Sequence, residues 1–305
     1  MKILVISSNL IGDNILSSGV IRYFINKNPK AKFTFIIGPS VNSLYQHFPN
    51  KEKIIIINKQ KYNLHWLKIF FHCWPQKWDV VIDFRSSLIS YLLNTQKKLI
   101  FKKNNQNHHL DQLKNQFGFD CSHLQIYNDS KELEIVENQL NKENKYIVIF
   151  PGGNWKPKIW DVKKYNRLIK ILNKNFMNLK FIIIGSSKEN DLYYDKVVDD
   201  IPANLIINLM GTSLTLTFAY MKKSKLFIGN DSGLMHLSVA SKLITIGLFG
   251  PTNDKIYGPQ SKSGFVLRTT EDYDPNKSNY NQKKSYMDSI TPEQILDLIK
   301  NNNLL

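Results

Sequence analysis

Short apolar runs alternate with longer amphipathic stretches from the first residue onward, the pattern of β-α-β units that build a parallel sheet. Lys2–Ser7, Phe33–Ile37, Lys53–Ile57 and Asp79–Phe84 read as strands. Helical periodicity falls between them, at about Asn14–Asn26, Val41–Phe48 and Leu64–His72, with a further helix after Ser86. Residues 103–130 are polar and weakly periodic, so loop with short helix is expected there. A second series of strands runs through Lys145–Phe150, Lys180–Ile184, Leu205–Ile207, Lys225–Ile228 and Thr245–Leu248. The polar segment Asn141-Lys142-Glu143-Asn144 lies between the two series and predicts a linker, hence domains at 1–143 and 144–305. Ser289-Ile290-Thr291-Pro292-Glu293-Gln294 supplies a capping residue, a first-turn proline and a first-turn acid for a last helix to about Lys300, a candidate to pack back on the N-terminal domain. The expected class is α/β: two Rossmann-like, doubly wound domains facing across a cleft, with ligand at the carboxyl ends of the strands.

Composition narrows this picture. A chain of 305 residues that is 42% hydrophobic can bury two cores. Its two cysteines, Cys73 and Cys121, have no C-x-x-C spacing, which argues against a disulfide framework or a cysteine zinc site and fits a reducing, cytoplasmic setting. No apolar run approaches the ~18 residues of a membrane span, and the apolar start Met1–Ile6 breaks at Asn9, Gly12 and Asp13, so no export signal is expected. The net charge is +16, and residues 51–114 hold twelve Lys and Arg against four Asp and Glu. Lys53, Arg85, Lys97, Lys98, Lys102 and Lys103 of that window could attract an anionic acceptor or a membrane surface; equally, lysines in so basic a chain can merely solvate it. No nucleic-acid module accompanies the charge, so no nucleic-acid partner is expected.

Candidate chemistry lies where strands end. Strand one runs into Gly12-Asp13, where Asp13 reads either as a helix N-cap or as a general base at the carboxyl end of a strand. After Lys145–Phe150 comes a turn containing Gly152, Gly153, Asn154 and Lys158: glycines allow close backbone approach to a phosphate, Asn154 can donate and Lys158 supplies a charge. A glycine turn with surface lysines explains the same residues, and the spacing is not that of a Walker loop. Glu189, after Gly185-Ser186-Ser187-Lys188, stands where Rossmann-like units bind ribose hydroxyls, or it is a first-turn glutamate favoured by the helix dipole.

The most informative stretch is Gly229-Asn230-Asp231-Ser232-Gly233-Leu234-Met235-His236, a strand feeding a helix whose Ser232 and Gly233 amides form an anion site. Asp231 would repel a phosphate and suits sugar hydroxyls better; its plain alternative is an N-cap. His236 lies one helical turn past Ser232 and faces the same side. There is no G-x-G-x-x-G fingerprint and no acidic or histidine cluster with metal-site spacing.

Taken in order, S-x-x-G-D, P-G-x-x-x-x-x-K-x-W, G-x-x-x-E, D-S-G-x-x-H and F-G-P-T resemble glycosyltransferase family 9, the heptosyltransferases, from Met1 to about Pro259. That resemblance implies a GT-B fold and an inverting, metal-independent transfer with no resident cofactor. The donor it implies is a nucleotide sugar, ADP-heptose, and the acceptor an anionic, lipid-linked inner-core saccharide of lipopolysaccharide, handled in the cytoplasm with peripheral inner-membrane association. It assigns Asp13 as base beside Gly12, Gly152, Gly153, Asn154 and Lys158 to the donor phosphates, Glu189 to ribose, and Asp231, Ser232, Gly233 and His236 to the sugar and diphosphate. The chain departs from the family at Ser7, where a basic residue is common, at Asp83-Phe84-Arg85-Ser86, where D-x-Q-G is common, and in lacking C-terminal cysteines. Rival readings are another GT-B reaction on a nucleotide sugar and a nucleotide-sugar-binding protein without chemistry.

Overall fold

The computed structural model describes residues 1–58, 64–104, 106–271 and 273–305, and divides the chain into two units, Met1–Tyr127 and Asn128–Leu305. The first unit runs β1 (Lys2–Ile6), α1 (Ile11–Lys27), β2 (Lys32–Ile37), α2 (Ser43–Gln46), β3 (Lys51–Ile56), α3 (His65–Cys73), β4 (Trp78–Asp83), α4 (Leu88–Leu92), β5 (Thr95–Ile100) and α5 (His109–Phe117). Its strands pair in the order β3-β2-β1-β4-β5, all parallel. Ile3, Leu4, Val5 and Ile6 are fully buried, as a central strand covered by helices on both faces requires. One core gathers Leu4, Ile6, Ile36, Val81 and Trp78. α5 stops at Gly118, whose φ of 76° is the left-handed value a helix end favours.

The second unit runs α6 (Ser130–Gln139), β6 (Lys145–Phe150), α7 (Val162–Asn175), β7 (Leu179–Ile183), α8 (Ser187–Val198), β8 (Ile206–Asn208), α9 (Leu214–Met221), β9 (Leu226–Asn230), α10 (Gly233–Ala240), β10 (Ile244–Phe249), α11 (Asp254–Tyr257), β11 (Gly264–Arg268) and α12 (Pro292–Asn301). The strands order as β11-β10-β9-β6-β7-β8, again all parallel. Chain order reverses at β1/β4 in the first sheet and at β6/β9 in the second. Such a switch point opens a crevice at the carboxyl ends of the two strands.

Several expectations change here. The division falls between Tyr127 and Asn128, ahead of the expected linker, because α6 belongs with the second unit: Asn128 donates to the Thr215 carbonyl and Thr215 to Glu132, each at 2.6 Å. α12 packs on α7 of its own unit, where Ile295 and Ile299 join the core of Leu168 and Leu172. β5 and β11 were not expected from the sequence; each is an edge strand with a single neighbour. The Val41–Phe48 helix shrinks to a 3-10 turn at Pro39–Val41 and the short α2. Among the described residues no helix is long and apolar enough to cross a membrane. Lys59 and Lys61 of the basic window lie outside the described residues.

Candidate active site

In the second unit the loops after β6 and β9 meet at the switch point, and the fully buried Asn230 at the end of β9 fastens them. Its amide donates to the carbonyls of Pro151 (3.2 Å) and Gly152 (2.8 Å), while its oxygen accepts from the Trp160 amide (3.1 Å) and the Tyr165 hydroxyl (3.0 Å). All its polar capacity is thus used to shape the glycine loop. Burial pushes the Tyr165 phenol well above its usual range, which keeps it a donor.

Gly152 and Gly153 meet Glu189 directly. Glu189 Oε1 accepts from the Gly153 amide at 2.7 Å, and Oε2 accepts from the Ser186 amide (2.7 Å) and hydroxyl (2.8 Å). Glu189 is therefore the far half of a capping box on α8 and a clamp on the glycine loop at once. A Cβ at Gly152 would stand 2.1 Å from Glu189 Oε1, so only glycine admits that carboxylate. The Met210-Gly211 turn closes the same corner, with the Gly211 amide on the Gly185 carbonyl at 2.8 Å.

Lys158 reaches Asp231 at 3.3 Å, with side chains only 13% and 8% exposed. Asp231 is not the cap of α10. Its amide bonds to the Leu248 carbonyl as the sheet ends, and Ser232 takes the capping position, its hydroxyl accepting from the Met235 amide at 3.4 Å. Gly233 opens the first turn, and the buried His236 follows with its amide on the Ser232 carbonyl. A cation, a carboxylate and a helix N-terminus are thereby gathered within one short stretch. Asn154 is exposed on the same glycine loop.

In the first unit, Asp13 is the third residue of α1; Leu10 occupies the cap, so the N-cap reading of Asp13 does not hold. Its carboxylate accepts from Lys103 Nζ (3.2 Å) and Ser8 Oγ (3.4 Å). Gly12 precedes it in the first turn of α1, which the loop after β1 leads into. That loop is fixed by the buried Asn14, which donates to the carbonyls of Ser8 (2.8 Å) and Leu10 (2.7 Å) and accepts from Tyr45 (2.8 Å). Sequence reasoning missed Asn14 and Asn230; the usable signal was a carboxamide at a position where the element should be apolar. Of the basic window, Lys103 is paired to Asp13, Lys53 meets His72 at 2.7 Å, and Lys98 donates to the Tyr91 carbonyl at 2.7 Å. Among the described residues no group of three or more His, Cys, Asp or Glu could hold a metal ion.

Two Rossmann-like units of parallel strands, with a glycine loop and a helix N-terminus at a switch point, define an α/β protein of the GT-B class. Residues 93–287 match the model of glycosyltransferase family 9 (heptosyltransferase), and the chain belongs to that family; it is a glycosyltransferase. It is 26% identical to the lipopolysaccharide heptosyltransferase 1 of Campylobacter coli over 98% of both chains. Its fold is similar to the family 9 glycosyl transferase of Veillonella parvula (TM-score 0.80, 20% identity, 98% and 96% of the two chains). It is also similar to the Escherichia coli heptosyltransferase WaaC solved with ADP-2-deoxy-2-fluoro heptose (TM-score 0.73, 16% identity, 99% and 100%).

Proposed function

We propose that this chain transfers heptose from ADP-heptose to the anionic, lipid-linked inner core of lipopolysaccharide, with inversion and without a metal, at the cytoplasmic face of the inner membrane. The observation that carries this reading is the nearly dry Lys158–Asp231 pair beside the first turn of α10 in a member of this family. In it Asp13 takes the acceptor hydroxyl proton as that oxygen bonds to the anomeric carbon, and the bond from this carbon to the diphosphate breaks. Lys158, Asn154 and the Ser232 and Gly233 amides take up the charge that appears on the leaving diphosphate. Glu189 holds ribose, with Gly152 and Gly153 giving the phosphates room, and Asp231 and His236 hold the sugar. Gly12 lets the acceptor approach Asp13. The donor is a co-substrate, and no resident cofactor enters.

The test is turnover of ADP-heptose with a heptose-deficient inner-core acceptor, followed by release of ADP. Asp13→Asn should retain ADP affinity while transfer falls by roughly 10²-fold or more. Binding of ADP-heptose without transfer by the unaltered chain would favour a non-catalytic nucleotide-sugar-binding protein, and transfer from a different nucleotide sugar would correct the donor.

A further inference from the structure

We propose that the apolar groove between α3 and α4 is a docking surface for an anionic lipid bilayer, an inference that rests on the membrane-surface part of the reading above and names the surface responsible. Trp66, Leu67, Phe70, Phe71, Leu88 and Leu92 are among the side chains that line a groove of about 700 Å³. Seven of the fifteen exposed large hydrophobic side chains among the described residues fall within residues 64–92, so the exposure is a patch and not scatter. Leu88 is 83%, Phe71 66% and Leu92 64% exposed. A contiguous apolar surface of this kind marks an interaction site. Trp74, stacked on Phe70 at 5.7 Å, and the exposed Tyr91 add the amphipathic rings that settle at a headgroup boundary.

Charge selects the occupant. Residues 64–104 hold seven Lys and Arg and only two acids, and both acids already accept hydrogen bonds from the chain itself. Asp79 accepts from the Lys2 amide, and the buried Asp83 accepts from the Arg85 and Ser87 amides and the Ser87 hydroxyl. Arg85 lies in the groove wall, 5.0 Å from the centre of the Trp66 ring, and makes no ion pair among the described residues. Lys98 donates to the carbonyl of Tyr91, the chain neighbour of the lining residue Leu92. Apolar side chains within a basic rim suit a surface that offers both hydrocarbon and negative headgroups. A second copy of a chain carrying +16 would set like charge against like.

The experiment uses the full chain with vesicles of phosphatidylcholine, alone or mixed with phosphatidylglycerol, read by co-sedimentation and by quenching of tryptophan with brominated lipid. Leu88→Glu/Leu92→Glu changes only exposed positions, and Phe71→Ser provides an independent variant on α3. Binding to the anionic vesicles, with quenching, and a loss of at least about tenfold in both variants is expected, while ADP affinity and transfer to a delipidated acceptor stay unchanged. Equal binding to both vesicle types, or variants that bind like the unaltered chain, would overturn the proposal. So would a lipid-free dimer that the variants dissociate, since it would make the groove a contact between copies. Failure of transfer by the unaltered chain would instead count against the heptosyl reading and leave the vesicle result standing.

Discussion

Replacing Lys158 by Met keeps most of the stem's volume and deletes its charge, leaving the Asp231 carboxylate without its cation in a site where it is 8% exposed. At 3.3 Å and an effective dielectric of about 20, the lost attraction is roughly 5 kcal/mol. Desolvation of the two ions already offsets a large part of that in the intact protein. The net loss should be about 2–3 kcal/mol, the range for a charged hydrogen bond broken on one side. For a unit of this size that lowers its melting transition by roughly 4–12 °C. Lys158→Met/Asp231→Asn removes both charges and should regain at least about half of the loss, because a neutral amide costs less than a stranded carboxylate.

Calorimetric titration with ADP separates stability from binding. Lys158→Met and the double variant should both bind ADP about 10- to 100-fold more weakly, since each lacks the cation. Asp231→Asn alone releases Lys158 and should bind ADP at least as well as the unaltered chain. The reasoning fails if the double variant melts no higher than Lys158→Met, for then the orphaned carboxylate is not the source of the loss. It fails equally if ADP affinity is indifferent to Lys158.

Chelation of divalent cations should leave turnover unchanged; activity lost with EDTA and restored by a divalent ion would refute metal independence. Burial pushes the Cys73 thiol up to about 11, partly offset by Lys53, and burial with help from Asp120 pushes Cys121 to about 11. At pH 8 only about one thiol in a thousand would be ionised, so both should react slowly with a disulfide reagent in the native chain and fast in denaturant; fast native labelling would contradict their burial. Glu189→Ala should raise the donor KM by about tenfold through the lost ribose contact and the loosened Gly153 amide, and by more than Ser186→Ala, which removes the cap of α8 and one bond to Glu189 Oε2 but leaves the Gly153 contact in place.

The elements legible in the sequence are those whose neighbours bury both faces. β1, β6 and β9 read as unbroken apolar runs because helices cover the sheet on each side. β5 escaped because Thr95-Gln96-Lys97-Lys98 lies at an edge, where one side of the strand meets solvent and polar residues are tolerated. The site divides in a similar way. The turn before α10 was visible as Asp-Ser-Gly, but which of two adjacent residues caps the helix depends on where the sheet releases the chain, and β10 holds it through the Asp231 amide. Pairings such as Lys158 with Asp231 and Lys103 with Asp13 join distant parts of the chain, so no local spacing reports them.

Glu189 has a structural role that leaves capacity for the functional one proposed for it. A carboxylate offers about four acceptor sites, and the Gly153 amide, the Ser186 amide and the Ser186 hydroxyl occupy three. One site on Oε1 is left for a ligand hydroxyl, which is the capacity a ribose contact needs. The same three bonds fix the carboxylate before any ligand arrives, so no rotamer entropy is spent on positioning it. Gly152 then acquires a second reason for being glycine. Besides the room for a phosphate that the proposed donor site calls for, it leaves room for the carboxylate, which ties the loop after β6 to the helix after β7, so on the proposed reading a substitution at Gly152 should disturb both the diphosphate and ribose ends of the donor.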